Sequence, residues 1–418
     1  MTITLILVFI VGYLAIALEG PLKLDKAASA LLTGVTCWLI YFLNSSEDSI
    51  NLDELMHHFA DISSILFFLL GAMVVVELID SHDGFSVITN RINTKSKQKL
   101  LWIISILTFF LSAFLDNLTT AIVMTSMIGK ILKDREDRLW FASMIIIAAN
   151  AGGAFSPLGD VTTTMLWIGG QITPLNIIIR LLIPSICVLI VPLLILTPKF
   201  KGQNFENEFS SRNNNHPESA IVLYSGIFLL LLVPVFKLLT NMPPFMGMLF
   251  ALGILWIIVS VLHSKKPQEE KMKLSVSSAL QRIDSSSILF FLGILLAVSA
   301  LESAGLLKMM AGYFDSTLGN FYYVGTALGI LSAIIDNVPL VAAVQGMYDL
   351  STYPPDHPFW EFIALTTGTG GSAIIIGSAA GIAAMGIEKI GFIWYLKKIS
   401  LIALAGFAAG IIAFLIQN

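Results

Sequence analysis

The sequence predicts an all-α polytopic membrane protein of about ten transmembrane helices plus two re-entrant hairpins, built on an inverted internal repeat with interrupted helices. Three observations carry that prediction. Only 12% of the 418 residues are charged and 56% are apolar, against roughly 25% and about 45–50% in ordinary soluble domains. Apolar stretches of membrane-spanning length recur along the whole chain, and several short strings appear twice in the same order. The net charge of -4 offers no basic surface, which makes nucleic acid an improbable partner.

A bilayer core needs about 20 apolar residues per helix. Stretches that meet this need run near 2–18, 27–43, 62–80, 139–168, 175–197, 219–239, 243–262, 285–303, 361–385 and 394–416. The first ends in Ala15-Ile16-Ala17, but it lacks a preceding positive charge and is followed by Lys23 and Lys26, the reverse of signal-peptide polarity. It therefore reads as a retained helix. Two further segments, 100–132 and 320–348, are broken at their middles by Asp116-Asn117 and Asp336-Asn337. Each is long for one crossing and short for two, so each reads as a hairpin that enters and leaves on one face.

Lys and Arg collect in cytoplasmic loops. With both hairpins re-entrant, every one of the 24 basic residues except Arg180, Lys237 and Lys308 falls on one side. Both termini then lie outside, with ten crossings between them. Cys37 and Cys187 sit within apolar runs, where a small core residue is a better reading than a disulfide or metal ligand.

The repeat is visible in the letters. Asp61-Ile62-Ser63-Ser64-Ile65-Leu66-Phe67-Phe68-Leu69 returns as Asp284-Ser285-Ser286-Ser287-Ile288-Leu289-Phe290-Phe291-Leu292. Ser112-Ala113-Phe114-Leu115-Asp116-Asn117 returns as Ser332-Ala333-Ile334-Ile335-Asp336-Asn337, and Gly152-Gly153 to Gly159-Asp160 as Gly370-Gly371 to Gly377-Ser378. The chain divides accordingly into N-terminal helices for scaffold and dimerisation (1–60), a first repeat (61–200), linking loops with two spans (201–283) and a second repeat (284–418). An odd number of crossings separates the copies, so they are inverted in the membrane. Inverted repeats with discontinuous helices mark secondary transporters, whose sites lie near the midplane.

A carboxylate at a hairpin tip in mid-membrane is functional by default. Asp116 and Asp336 must be neutralised there, either by a proton or by a bound cation. Competition between the two, with alternating access, suffices for cation/proton antiport. Unpaired carbonyls at the helix breaks, with Asn117 and Asn337, are expected to complete an oxygen shell for Na+ around Asp116 and Asp336. The same pairs also fit plain helix caps, supported by Thr119-Thr120 and Pro339.

In the interrupted spans, Asn150, Ser156, Thr162, Thr369, Ser372 and Ser378 are candidate oxygen ligands, each equally a helix cap. Asp160 stands at an N-cap position before Val161, where Asp is ordinary, and reads as either cap or ligand. Glu77, Asp80, Glu302 and Glu19 lie at span ends, and Arg180 pairs with an acid or snorkels. His57, His58 and His82 are candidate pH sensors. No metalloprotease or nucleotide-binding spacing occurs, which points away from an enzyme, and no cofactor is expected beyond the transported Na+ or Li+ and H+.

The strings Ser112 through Thr120, Asn150-Ala151-Gly152-Gly153 with Ser156 through Thr164, and Ile335-Asp336-Asn337-Val338-Pro339 resemble those of NhaD-type sodium/proton antiporters. More widely they resemble the ion transporter superfamily that includes sodium-coupled dicarboxylate carriers. The resemblance implies exchange of cytoplasmic sodium or lithium for external protons, an inner-membrane location and a homodimer of scaffold and moving parts. The dicarboxylate carriers have Ser-Asn-Thr at both tips where this chain has Asp116-Asn117-Leu118 and Asp336-Asn337-Val338. That acid argues against an anionic substrate, although it could mark a different coupling cation. A cation-coupled anion carrier is the alternative.

Overall fold

The computed structural model describes residues 2–17, 19–44, 48–89, 92, 94–205, 217–264 and 266–417. Arg91, Arg212 and Lys265, which the charge argument assigned to the basic side, lie outside them. The described residues are mostly helical, and the one bridge among them joins Ser96 to Asn204.

The chain opens with α1 (Thr2–Ala17), a single turn α2 (Glu19–Leu22), α3 (Lys26–Asn44) and the long α4 (Asp48–Ser81), then the short α5 (Ser86–Thr89). The first broken segment follows as α6 (Lys97–Leu115) and α7 (Asn117–Ile131), then α8 (Arg135–Ala154) and α9 (Val161–Ile168). Next come α10 (Pro174–Leu196), α11 (Pro217–Thr240) and α12 (Pro244–Leu262), with α13 (Gln268–Lys273) and α14 (Val276–Arg282) as surface turns. The second half holds α15 (Ser285–Ser303), α16 (Leu306–Leu318), α17 (Phe321–Leu331), α18 (Asn337–Met347), α19 (Pro358–Gly370), α20 (Ala379–Glu388), α21 (Phe392–Lys398) and α22 (Ser400–Gln417).

Burial sorts these helices. Every residue from Trp140 to Ala154 in α8 and from Phe359 to Gly370 in α19 is buried, as befits helices apolar on all sides at the centre of a bundle. The peripheral helices instead leave Ile3, Leu7, Ile257, Val261, Leu401 and Ile416 more than 55% exposed. Large apolar side chains facing outward in such number fit a lipid solvent. α3 packs along α15, α10 along α22, and α12 against α4, while α8 and α19 meet between them.

Among the described residues, eight helices are long and apolar enough to cross a membrane, or nine if α20 and α21, bent 115° apart, count as one span. The ten predicted crossings are met differently in places. The segments 139–168 and 361–385 carry the interruptions read from the sequence: α8 ends at Ala154 and α9 begins at Val161, and α19 ends at Gly370 and α20 begins at Ala379. The final segment 394–416 divides into α21 and α22, and α1 has only 16 residues. Conversely, α6 alone is 19 residues long, span-length by itself, because Asp116 rather than a turn of polar residues ends it.

Side chains at the basic helix ends are paired: Lys97 with Asp137 at 2.5 Å, Arg138 with Glu388 at 2.9 Å, Lys266 with Glu218 at 2.5 Å and Arg282 with Glu77 at 3.5 Å. Cys37 and Cys187 are free thiols.

Candidate cation site at the helix breaks

Two breaks face each other inside the bundle, and the same construction makes both. Gly152 lets α8 lie directly on α6: a β-carbon there would stand 2.1 Å from the Phe109 carbonyl oxygen. Gly370 does the same for α19 on α17, where a β-carbon would stand 2.0 Å from the Gly329 oxygen. The Ser112 hydroxyl donates to the Ala149 carbonyl at 2.6 Å, and its counterpart Ser332 donates to the Thr367 carbonyl at 2.7 Å. Each broken segment is thereby tied to the interrupted helix beside it.

At the tips the two acids cap their following helices. Asp116 accepts from the Thr119 amide and hydroxyl, both at 2.8 Å, and holds φ 70° and ψ 157°. That backbone region is almost exclusive to glycine and costs on the order of 1–3 kcal/mol. Asp336 accepts from the Val338 amide at 3.4 Å. Both are half-buried, whereas the asparagines beside them are each 4% exposed.

Those asparagines point to a third acid. Asp160, 1% exposed, caps α9 through the Thr162 amide at 3.1 Å. Asn117 Nδ2 donates to its Oδ2 at 3.1 Å, and Asn337 Nδ2 donates to the same oxygen at 3.0 Å and to Oδ1 at 3.3 Å. Asn117 Nδ2 also lies 3.1 Å from Asn150 Oδ1, while Asn150 Nδ2 donates to Ser372 Oγ at 2.9 Å and Ser378 Oγ at 3.0 Å. One polar network thus joins both Asp-Asn breaks, between α6 and α7 and between α17 and α18, to the breaks after α8 and α19.

The network brings together Asn117, Asn150, Asp160, Asn337, Ser372 and Ser378 from the sequence-derived set. Others serve local structure: Ser156 Oγ donates to the Ala113 carbonyl at 2.5 Å, and Thr369 Oγ1 to the Leu365 carbonyl at 2.6 Å. The buried hydroxyls Thr162 Oγ1 and Thr120 Oγ1 have no hydrogen-bond partner, leaving oxygen lone pairs beside the first turns of α9 and α7. Among the described residues no basic side chain forms an ion pair with Asp116, Asp160 or Asp336. Asp116 and Asp336 are near enough to repel the Asp160 carboxylate.

Sequence reasoning had not singled out Ser112, Ser332 or Tyr395, whose hydroxyl donates to the Ser372 carbonyl at 2.9 Å. The two serines open the repeated Ser-Ala-x-x-Asp-Asn strings, which is the signal that marks them. Glu361 was also missed. It is fully buried and takes a hydrogen bond from Asn176, with the Arg180 charge nearby. Elsewhere, His58 meets the Ser303 hydroxyl and His82 stacks on His263.

A family model described as citrate transporter matches residues 5–368. The chain belongs to that family. Within this transporter family, sodium/proton antiporter 1 of Arabidopsis thaliana is 46% identical over 99% of this chain and 72% of its own length. Sodium/proton antiporter 2 of the same plant is 45% identical over 98% of both chains. The Na(+)/H(+) antiporter NhaD of Vibrio cholerae is 28% identical over 99% of this chain and 91% of its own.

Proposed function

We propose that this chain is a Na+(Li+)/H+ antiporter that exports cytoplasmic sodium in exchange for external protons. The observation that carries the reading is the Asp160 carboxylate, buried between the amides of Asn117 and Asn337 with no cationic side chain paired to it. A buried carboxylate without a countercharge costs several kcal/mol, and a proton or a small hard cation relieves that cost. The two exclude each other at one carboxylate, so exchange follows once the site opens alternately to either side. The names of the relatives support sodium as the cation.

The oxygen set fits Na+ as transported substrate. Asp160, with Asp116 and Asp336 close by, supplies charge, and the asparagine, threonine and serine oxygens supply neutral ligands. The buried hydroxyls of Thr162 and Thr120 add oxygen beside these acids. The reading treats α6–α7 and α17–α18 as re-entrant hairpins of oppositely oriented repeats. Lys97 and Lys99 at one end of the first, with Lys130 and Lys133 at the other, support its return to the same face. The same charge bias supports a topology with both termini outside. A transporter of this kind needs no catalytic pairing.

The family description, citrate transporter, favours one second reading, a sodium-coupled carrier of an organic anion. Three carboxylates around the network repel such a substrate. In everted vesicles with an imposed pH gradient, sodium or lithium should dissipate the gradient, and Asp160→Asn should remove that response. Sodium-dependent uptake of a labelled tricarboxylate without gradient collapse would replace the antiport reading by the carrier.

A further inference from the structure

A cavity of about 420 Å³ opens between α4, α9, α15 and α18, at the end of the bundle remote from the basic helix ends. Its floor includes Met165 and Ala342, which are 1% and 8% exposed. Met165 lies five residues beyond Asp160 along α9, and Ala342 six beyond Asp336 along α18. At 1.5 Å per residue the floor is about 7–9 Å from the helix-break network. The two helices that Asp160 and Asp336 cap therefore form both the site and the floor of the cavity.

Its rim carries Asp61 on α4 and Glu302 on α15. The basic groups acting there are His57, whose Nε2 is 3.9 Å from Asp61, His58, and Lys308 on α16. Below the acids the wall is apolar apart from Ser299 and the side-chain amides of Gln171 and Gln345, which lie against each other. Glu302 is fitted to its place by Gly346, where a β-carbon would stand 3.0 Å from its Oε2. In the repeated spans that begin at Asp61 and Asp284, Asp80 matches Ser303, so Glu302 stands one residue from the position of that acid. In an inverted pair that puts one acid at each end of the molecule.

We infer that this cavity is the outer vestibule of the transporter, through which a hydrated monovalent cation and protons reach the helix-break site, and that Glu302 with Asp61 makes it cation-selective. The inference rests on the antiport reading for its cargo, but its geometry is separately testable. Acids at the mouth of a low-dielectric cleft concentrate cations by focusing their field. The apolar floor of Met165 and Ala342 separates the vestibule from Asp160 and must part for an ion to pass.

The test is thiol labelling in the full-length chain with Cys37→Ser and Cys187→Ser. Ala342→Cys reports the floor, and Ile168→Cys reports the wall if the first variant does not insert. In right-side-out vesicles a membrane-impermeant cationic methanethiosulfonate should react roughly tenfold faster than its anionic analogue. Adding Glu302→Gln and Asp61→Asn should bring the two rates together. Reaction only from the inner face, or a charge preference untouched by those substitutions, overturns the inference. Sodium-driven collapse of a pH gradient, measured on the same vesicles, stands apart. Charge-selective labelling without it would keep the vestibule and reject antiport, whereas collapse without such labelling would do the reverse.

Discussion

Asn337 Nδ2 lies 3.0 Å from Asp160 Oδ2, although the two residues are 177 positions apart in the chain. Asn117 reaches the same oxygen from the first hairpin. The carboxylate of one interrupted helix is thus held by the amides of both tips, so a charge change at Asp160 is felt by both halves at once. The tip acids, which the sequence ranked first, cap their own helices beside it.

Replacing Asp160 by Asn removes the charge while keeping the size and the capping oxygen. Sodium- and lithium-dependent exchange should fall by about 100-fold or more, on the scale of a lost charge-assisted interaction of roughly 3 kcal/mol. Thermal stability in detergent should hold or rise, since the uncompensated buried charge is gone.

Asn117→Ala and Asn337→Ala each remove a donor to that carboxylate. A hydrogen bond to a charged group contributes about 1.5–3 kcal/mol, so apparent sodium affinity should shift by roughly 10- to 100-fold in each, with direction set by the loss of positioning. Measuring the sodium dependence of exchange for both variants checks that the halves contribute comparably.

Gly152→Ala and Gly370→Ala test the packing that places the breaks. Each added methyl would meet backbone carbonyl oxygen, which cannot swing aside as a flexible side chain can. Overpacking of this kind costs about 1–3 kcal/mol. Both variants should melt earlier in detergent, and an unchanged melting temperature would contradict the close crossing.

His82 and His263 form a buried pair just beyond the C-terminal ends of α4 and α12, with their Nε2 atoms 3.1 Å apart. Burial, the Lys266 charge and, for His263, the neighbouring His82 hold both below the ordinary histidine value of 6.5, opposed by Glu218, by the Leu78 carbonyl at His82 and by Glu270 at His263. The unfolded chain therefore takes up these protons before the folded one. Stability from the pair is full above about pH 6.5 and is lost as pH falls toward the depressed folded values. His263→Gln should flatten the fall in thermal stability between about pH 7 and 5.

The fold was legible because few charges and long apolar runs admit no other solvent for this chain. The breaks were legible because Pro157 with Gly159 interrupts the first of these apolar spans, and the glycines from Gly370-Gly371 to Gly377 mark the equivalent place in the second. The centrality of Asp160 was not legible. An Asp before Val161 has the signature of a cap, and it is one. Only the approach of Asn117 and Asn337, from segments distant in sequence, gives its carboxylate a second set of partners. Likewise nothing in the sequence singles out Glu361, which meets Asn176 of α10 only through the fold.

The central claim, that a proton and an alkali cation compete for Asp160, meets its most direct test in everted vesicles carrying a respiration-driven pH gradient. The account predicts that sodium or lithium dissipates the gradient with an apparent affinity that falls as the medium is acidified, and that vesicles with Asp160→Asn give no response. Dissipation by Asp160→Asn at the wild-type level, or a sodium affinity independent of pH, would contradict it.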